Sequence, residues 1–189
     1  MILYHGTSQK LGDIDFKRSR FRTDFGKGFY MSDKLGNARD WAVDRSDISE
    51  IPTVMRYNVS NALFEDDNVS RLKFDNPTME WLNFVRENRR KVADNGNNKE
   101  PRHSYDMVSG PIADDKVAIA VDKYCRGKLT AEEALHEIKA IKNVFQLSMH
   151  TQLALTYIKS VSYSQFKTKS GAIGDNSIKN QSLMLVGQT

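Results

Sequence analysis

Two short stretches near the N-terminus gather residue types suited to holding a flat, polar ring. LYHGTS (residues 3–8) places His5 before Gly6 and Thr7, and FGKGFYMSD (residues 25–33) brings Lys27, Gly28 and Tyr30 close together. Glycine weakens a regular element, so it marks a bend or a place where something comes close to the main chain. A backbone N–H and C=O unshielded by a side chain can pair with a planar amide. Nicotinamide carries such an amide, and the rings of Tyr30 and Trp41 offer flat faces for its pyridine. A dinucleotide pocket, with NAD as its occupant, is the chemistry these residues point to. Each has a plainer reading: His5 as a satisfied structural histidine, and Tyr30 and Trp41 as core aromatics.

A second group lies later in the chain. NVFQLSMHT (residues 143–151) alternates, with Phe145, Leu147 and Met149 on one side and Gln146, Ser148 and His150 on the other. An unpaired buried amide costs about 1–3 kcal/mol, so Gln146 has partners, lines a cleft or faces solvent. His150 shares its face and is a candidate cleft residue. Asp106 and Asp114, in YDMVSGPIADD (residues 105–115), could orient or deprotonate an acceptor, with helix capping the alternative for Asp114. The chain has one Cys and four His, with no cluster at metal-ligand spacing, so no metal is expected.

The elements that must position these residues follow from periodicity. Residues 2–5 and KGFYM read as strands, separated by a charged loop over 12–24. Leu35, Ala38, Trp41 and Ala42 recur at helical spacing, and TVMRYNVS alternates as a strand. A helix is expected from about Asn76, with Pro77 in its first turn and Trp81, Leu82 and Val85 on its apolar face. DNGNNKEPR (residues 94–102) is a linker. Next comes a helix bearing Val117, Val121 and Tyr124 and closed by Gly127. Another carries Leu135, Ile138 and Ile141, with Thr130 and Glu133 as its capping box. A short helix with Leu153, Leu155 and Ile158 precedes a strand near Val161 and Tyr163. Residues 1–166 are expected to form the domain and 167–189 a polar tail, in which SLMLV could add a short strand. Strands at irregular intervals between helices imply α+β with antiparallel pairing. No GxGxxG opens a helix after a strand, which argues against a Rossmann site.

The 189 residues fit one core, and 39% hydrophobic with 28% charged residues is ordinary globular composition. No apolar run is long enough for a membrane helix, so no membrane partner is expected. MILYHGTSQK lacks the features of a secretory leader. With the lone Cys125, this suggests a reducing, cytoplasmic setting, or delivery into a target cell without a cleaved leader. A net charge of +4 permits an anionic partner, nucleic acid included. Positive charge gathers in KRSRFR (residues 17–22) and in residues 86–103. Each is a phosphate-contacting surface or simply a solvated one.

Taken together, HGT followed by FGKGFYMSDKLGNARDWA resembles the donor-binding half of the ADP-ribosyltransferases of the diphtheria-toxin and poly(ADP-ribose) polymerase type. The order LYHGT, DFGKGFY, YDxVxGPxADD and QxxxHT is more similar still to a sparsely characterised bacterial family assigned to that fold, over about residues 2–160. The resemblance implies an ADP-ribosyltransferase-like α+β fold: two small, mostly antiparallel sheets around an NAD cleft, with helices outside. It implies catalytic roles for His5, Tyr30 and Gln146. His5 would bond a ribose hydroxyl, Gly6 would pair with the nicotinamide amide, and Tyr30 would stack on the ring. Thr7, Lys27, Gly28 and Trp41 would complete the NAD site.

Two positions depart from the family pattern. Ala38 stands where a serine often binds the amide, and Gln146 stands where a glutamate bonds the nicotinamide ribose. Glutamine keeps a hydrogen bond but brings no charge, so transfer of a single ADP-ribose is expected rather than chain elongation. Arg18, Arg20 and Arg22 are candidates for the pyrophosphate. The implied activity is mono-ADP-ribosyl transfer from NAD, a co-substrate, to a protein or nucleic acid acceptor, as in toxins and effectors. NAD glycohydrolysis and simple NAD or ADP-ribose binding are the alternatives.

Overall fold

The computed structural model describes residues 1–8, 12–47, 49–89, 103–113, 115–139, 144–166 and 181–183. Its regular elements, in chain order, are β1 (Ile2–Thr7), β2 (Phe29–Ser32), α1 (Leu35–Arg45), β3 (Thr53–Val59), β4 (Arg71–Lys73), α2 (Met79–Arg89), β5 (Met107–Pro111), α3 (Asp115–Cys125), α4 (Ala131–Lys139), β6 (Phe145–Met149), α5 (Gln152–Leu155), β7 (Ile158–Gln165) and β8 (Gln181–Leu183). The fold is mixed α+β. Its contacts divide into two compact units. The first is Met1–Ile14, Tyr30–Asp66 and Leu155–Thr189, and the second is Asp15–Phe29 and Asp67–Ala154. Among the described residues, no helix is long and apolar enough to cross a membrane.

In the first unit every strand pairing is antiparallel. β1 lies between β2 and β3, β3 pairs with β7, and β7 with β8. Ile2 to Thr7 face Asn58 to Thr53 residue by residue, whereas the pairing with β2 consists of Tyr4–Ser32. Helix α1 lies on this sheet through Ala38 and Ala42, both fully buried with Val54, while Tyr4 and Phe166 pack around them. Small residues on the buried stripe of α1 let the helix backbone come very close to β1. A Cβ built on Gly6 would overlap the carbonyl oxygen of Ala38 and lie 2.7 Å from the backbone nitrogen of Ala42. Glycine is what this contact allows. Part of the expected tail is ordered as a strand, with Gln181–Leu183 pairing with Val161–Tyr163.

In the second unit β4 runs parallel to β5, and β5 antiparallel to β6. Helices α2, α3 and α4 pack on one another, burying Trp81, Leu82, Val85, Val117, Ala120, Val121, Ala134 and Ile138. Phe25, Phe74 and Phe84 form an aromatic cluster with centroids 5.4–6.2 Å apart. The capping box of α4 forms: the Glu133 carboxylate accepts from the Thr130 N–H at 2.7 Å, and the Thr130 hydroxyl accepts from the Glu133 N–H at 3.2 Å.

Two boundaries differ from expectation. α2 begins at Met79 rather than near Asn76, because the Thr78 hydroxyl accepts from the Trp81 N–H at 3.2 Å and caps the helix after Pro77. Ile158 opens β7 instead of ending the short helix. Strands β4 and β5 also went unrecognised in the sequence. β5 is MVSGP, buried at every residue, so it shows no alternation, and its glycine and proline resemble a turn.

The contact at Gly6 yields a prediction. Gly6→Ala should lower the unfolding free energy by about 3 kcal/mol, the cost of forcing atoms into a filled space. Gly12→Ala, with nothing within 4 Å of the new methyl, should stay within about 0.5 kcal/mol of the parent. Chemical denaturation of the two variants is the measurement.

Candidate functional site

His5 and Tyr30 meet through the backbone. The His5 Nδ1 lies 2.6 Å from the Tyr30 carbonyl oxygen, and a carbonyl only accepts, so Nδ1 carries the proton. Burial, with a smaller push from the Arg45 charge, lowers the imidazole pKa to about 4, against the opposing effect of that hydrogen bond. His5 is therefore neutral at pH 7, and its Nε2 has a lone pair able to accept from a hydroxyl.

The β1 main chain is set by its register. Met1 and Val59 exchange both backbone hydrogen bonds, Met1 N–H to Val59 O at 2.6 Å and Val59 N–H to Met1 O at 2.8 Å. Narrow and wide pairs alternate along an antiparallel ladder. The odd-numbered residues of β1 thus point their N–H and C=O toward β3, and Ile2, Tyr4 and Gly6 point theirs toward the β2 side. There Tyr4 meets Ser32. One step further, the Tyr30 carbonyl is bonded by the His5 ring and the Gly6 carbonyl by Arg45 Nη1 at 2.7 Å. Gly6 thus presents main-chain polar groups on the side where the β1–β2 ladder has ended.

The other expected members of this group are in the same unit. Thr7 is buried and pairs with Thr53. Trp41 is half-buried in α1, with the Arg45 guanidinium 5.7 Å from its ring. Ala38, at the family's serine position, is fully buried at the Gly6 contact. A residue there packs the helix onto the strand and has no room to reach a ligand.

Gln146, Lys27, Gly28, Asp106 and His150 belong to the second unit. Gln146 is 3% exposed. Its amide donates to Asp24 Oδ2 at 2.7 Å and to the Pro111 carbonyl at 3.1 Å. Asp24 also accepts from the Ala113 N–H at 2.9 Å and from Arg89, whose Nε is 2.9 Å from Oδ1 and whose Nη2 completes a fork onto that oxygen. Arg89 donates onward to the Ala113 carbonyl at 2.8 Å. Gln146 therefore faces neither solvent nor an open cleft with its NH2 group; both amide hydrogens belong to a buried network.

His150 follows two residues beyond Ser148 and is also buried. Its Nδ1 donates to the Lys27 carbonyl at 2.9 Å, and its Nε2 accepts from the Ser148 hydroxyl at 2.8 Å. A Cβ on Gly28 would lie 2.6 Å from that ring, so the glycine makes room for the histidine. His103 Nε2 donates to the Phe25 carbonyl at 2.8 Å, its Nδ1 accepts from the Tyr105 N–H at 3.2 Å, and its ring stands edge-on to His150 at 4.6 Å. Two neutral imidazoles thus pin the Phe25–Lys27 backbone. Burial lowers the pKa of both, that of His150 to about 4. Asp106 accepts from the Thr151 hydroxyl at 2.6 Å and from the Ser70 N–H at 2.8 Å. The half-buried Lys27 holds its ammonium 4.6 Å above the Phe21 ring. Asp114 lies outside the described residues.

A family model described as "Protein of unknown function (DUF3990)" matches residues 1–160. The chain belongs to the DUF3990 family. No curated protein and no solved structure matches it. Several residues of this DUF3990 chain acquire importance only in three dimensions. Arg45 sits four residues beyond Trp41, a spacing that puts both on one helix face, but its reach to Gly6 leaves no mark in sequence. Asp24 precedes the FGKG stretch, and its partners Arg89, Ala113 and Gln146 are scattered along the chain.

Two outcomes follow from these contacts. Gln146→Glu replaces a donor with a carboxylate beside the Asp24 carboxylate, which raises the new group's pKa in the folded state above its unfolded value near 4.3. Destabilisation relative to the parent should be small below pH 4.3 and grow as pH rises, reaching about 2 kcal/mol at pH 7. Unfolding curves of both proteins at pH 5 and pH 7 measure it. The three depressed histidines act in the other direction. His5, His103 and His150 bind protons more readily unfolded than folded, so their contribution is complete above about pH 6.5 and is lost as pH falls below it, toward about 4 for His5 and His150. Stability should fall over that window, by up to about 1.4 kcal/mol per pH unit for each histidine, and His150→Gln should flatten the fall.

Proposed function

We propose that this DUF3990 chain holds the nicotinamide end of NAD against the His5–Gly6 segment and transfers a single ADP-ribose unit to an acceptor. The observation that carries the reading is the end of the β1–β2 pairing at Gly6, beside a neutral His5 fixed by the Tyr30 carbonyl. A carboxamide there would accept from the Gly6 N–H and donate to its carbonyl. That oxygen has a second lone pair besides the one used by Arg45. The His5 Nε2 would accept from a ribose hydroxyl, and the Tyr30 ring would cover the pyridine. The NAD cleft of the ADP-ribosyltransferase fold belongs to this proposal.

In this reaction the bond between ribose C1′ and the pyridine nitrogen breaks, and its electron pair leaves with nicotinamide, which becomes neutral. Oxocarbenium character builds on the sugar, as in glycoside hydrolysis. A lone pair on the acceptor closes on C1′, and the acceptor's proton passes to solvent. The leaving group needs no acid, so the protein's task is to hold C1′ and the acceptor in line. Both Gln146 amide hydrogens are committed, so it could donate to the ribose only by giving up a bond to Asp24 or Pro111. Its part in the proposal is therefore to order the Asp24–Arg89 network, and single-unit transfer follows from the missing carboxylate. That missing charge also favours a second reading, a module that binds NAD or ADP-ribose without turnover.

NAD labelled in its adenylate part separates these readings. Label fixed to protein or nucleic acid supports transfer, and free ADP-ribose indicates water as the acceptor. Binding with unchanged NAD supports the module. His5→Ala and Tyr30→Ala should lower turnover at least a hundredfold, while Lys128→Ala, at an exposed residue outside the proposed site, should leave it at the parent rate. Parent-rate turnover by folded His5→Ala and Tyr30→Ala proteins would refute the site assignment.

A further inference from the structure

Among the described residues, the cations of the two basic stretches differ in their surroundings. Arg86 and Arg89, from the later one, are engaged internally. Arg86 lies 4.9 Å from the Tyr124 ring and bonds its hydroxyl at 3.3 Å, and Arg89 is bound to Asp24. In the earlier stretch Lys17, Arg18, Arg20 and Arg22 are all exposed, and among the described residues none of their side chains takes part in a hydrogen bond or ion pair. Phe21 stands in their midst at 58% exposure, a large apolar ring left in water, with the Lys27 ammonium 4.6 Å from its centroid. Arg22 has φ of 58°, the one non-glycine residue in the left-handed region among those described. Such a backbone is uncommon for a side-chain-bearing residue and marks a loop whose shape is imposed.

We propose that this loop is a docking surface for single-stranded nucleic acid, with the Lys17, Arg18, Arg20 and Arg22 cations meeting phosphates and the Phe21 ring stacking on an unpaired base. Cations without internal partners are available to replace the counterions of a phosphate backbone. An aromatic ring among them is the sequence-tolerant platform that single strands use, since every base has a flat face. A duplex keeps its bases stacked and gives Phe21 nothing to cover. A lipid surface asks for an apolar face broader than one ring, and Phe21 is the one large hydrophobic residue of the loop exposed to this degree. The proposal is independent of the NAD reading, because it concerns binding measured without NAD.

Anisotropy of a labelled oligothymidylate, titrated with the full chain at several salt concentrations, tests it. The parent should bind with a log–log salt slope of about −3, as expected for about four neutralised phosphates on a single strand. The triple variant R18A/R20A/R22A should make the slope shallower by about 2, from three lost contacts. Phe21→Ala should weaken binding roughly tenfold with the slope nearly unchanged. The substituted side chains are exposed, and circular dichroism confirms the fold of each variant. Equal binding by Phe21→Ala and parent, a triple variant with the parent slope, tighter binding to a duplex of the same length, or binding to phosphatidylserine vesicles but not to the oligonucleotide would each overturn the proposal.

Discussion

The Tyr30 carbonyl is bonded by a side chain where a strand ladder would otherwise continue. Because His5 donates to it from β1, the β1–β2 pairing ends at Tyr4–Ser32, and the next main-chain polar groups on that side of β1 are those of the buried Gly6, whose carbonyl accepts from Arg45. Desolvation keeps that imidazole neutral, which is what allows it to be a donor at one nitrogen and an acceptor at the other. Sequence, strand geometry and protonation state converge on one local arrangement, and the functional reading has no other foundation. Helix α1 is drawn onto the same strand at Gly6, so the residue proposed to pair with the carboxamide is also the one that cannot acquire a side chain.

The second unit applies the same economy differently. Its candidate residues Gln146 and His150 are buried in hydrogen-bond networks rather than displayed. Asp24, Arg89 and Gln146 satisfy one another together with the main chain of Pro111 and Ala113. His103 and His150 fix the Phe25–Lys27 backbone from two directions. A buried charge is tolerable only when its partners are complete, and here the Asp24 carboxylate has four donors from three residues. The FGKG stretch is consequently held by histidines and by the space that Gly28 leaves, while the charged loop before it projects free side chains.

Much of this was legible in the sequence. The helical spacing of Leu35, Ala38, Trp41 and Ala42, the alternation of TVMRYNVS and the Thr130–Glu133 box each reflect a local rule, and each appears as an element or a cap in the structure. β5 was not legible, because a strand buried on both faces loses its period, and Gly110 and Pro111 look like punctuation. The start of α2 was misplaced because the capping hydroxyl of Thr78 outranks the proline before it. For Gln146 the alternation of NVFQLSMHT gave the right strand. The partners that decide its role lie 122 residues and 35 residues away in the chain, beyond any local pattern. Gly6 and Gly28 were legible as special, but the reasons for them, a helix backbone and a histidine ring, are tertiary.

The central claim concerns what the β1 main chain at Gly6 receives beyond its bond from Arg45. A crystal of the parent chain soaked with nicotinamide tests it most directly. The account predicts the carboxamide within hydrogen-bonding distance of the Gly6 N–H and carbonyl, with the pyridine against the Tyr30 ring. Nicotinamide found elsewhere, or a clean Gly6 edge at saturating ligand, would contradict it.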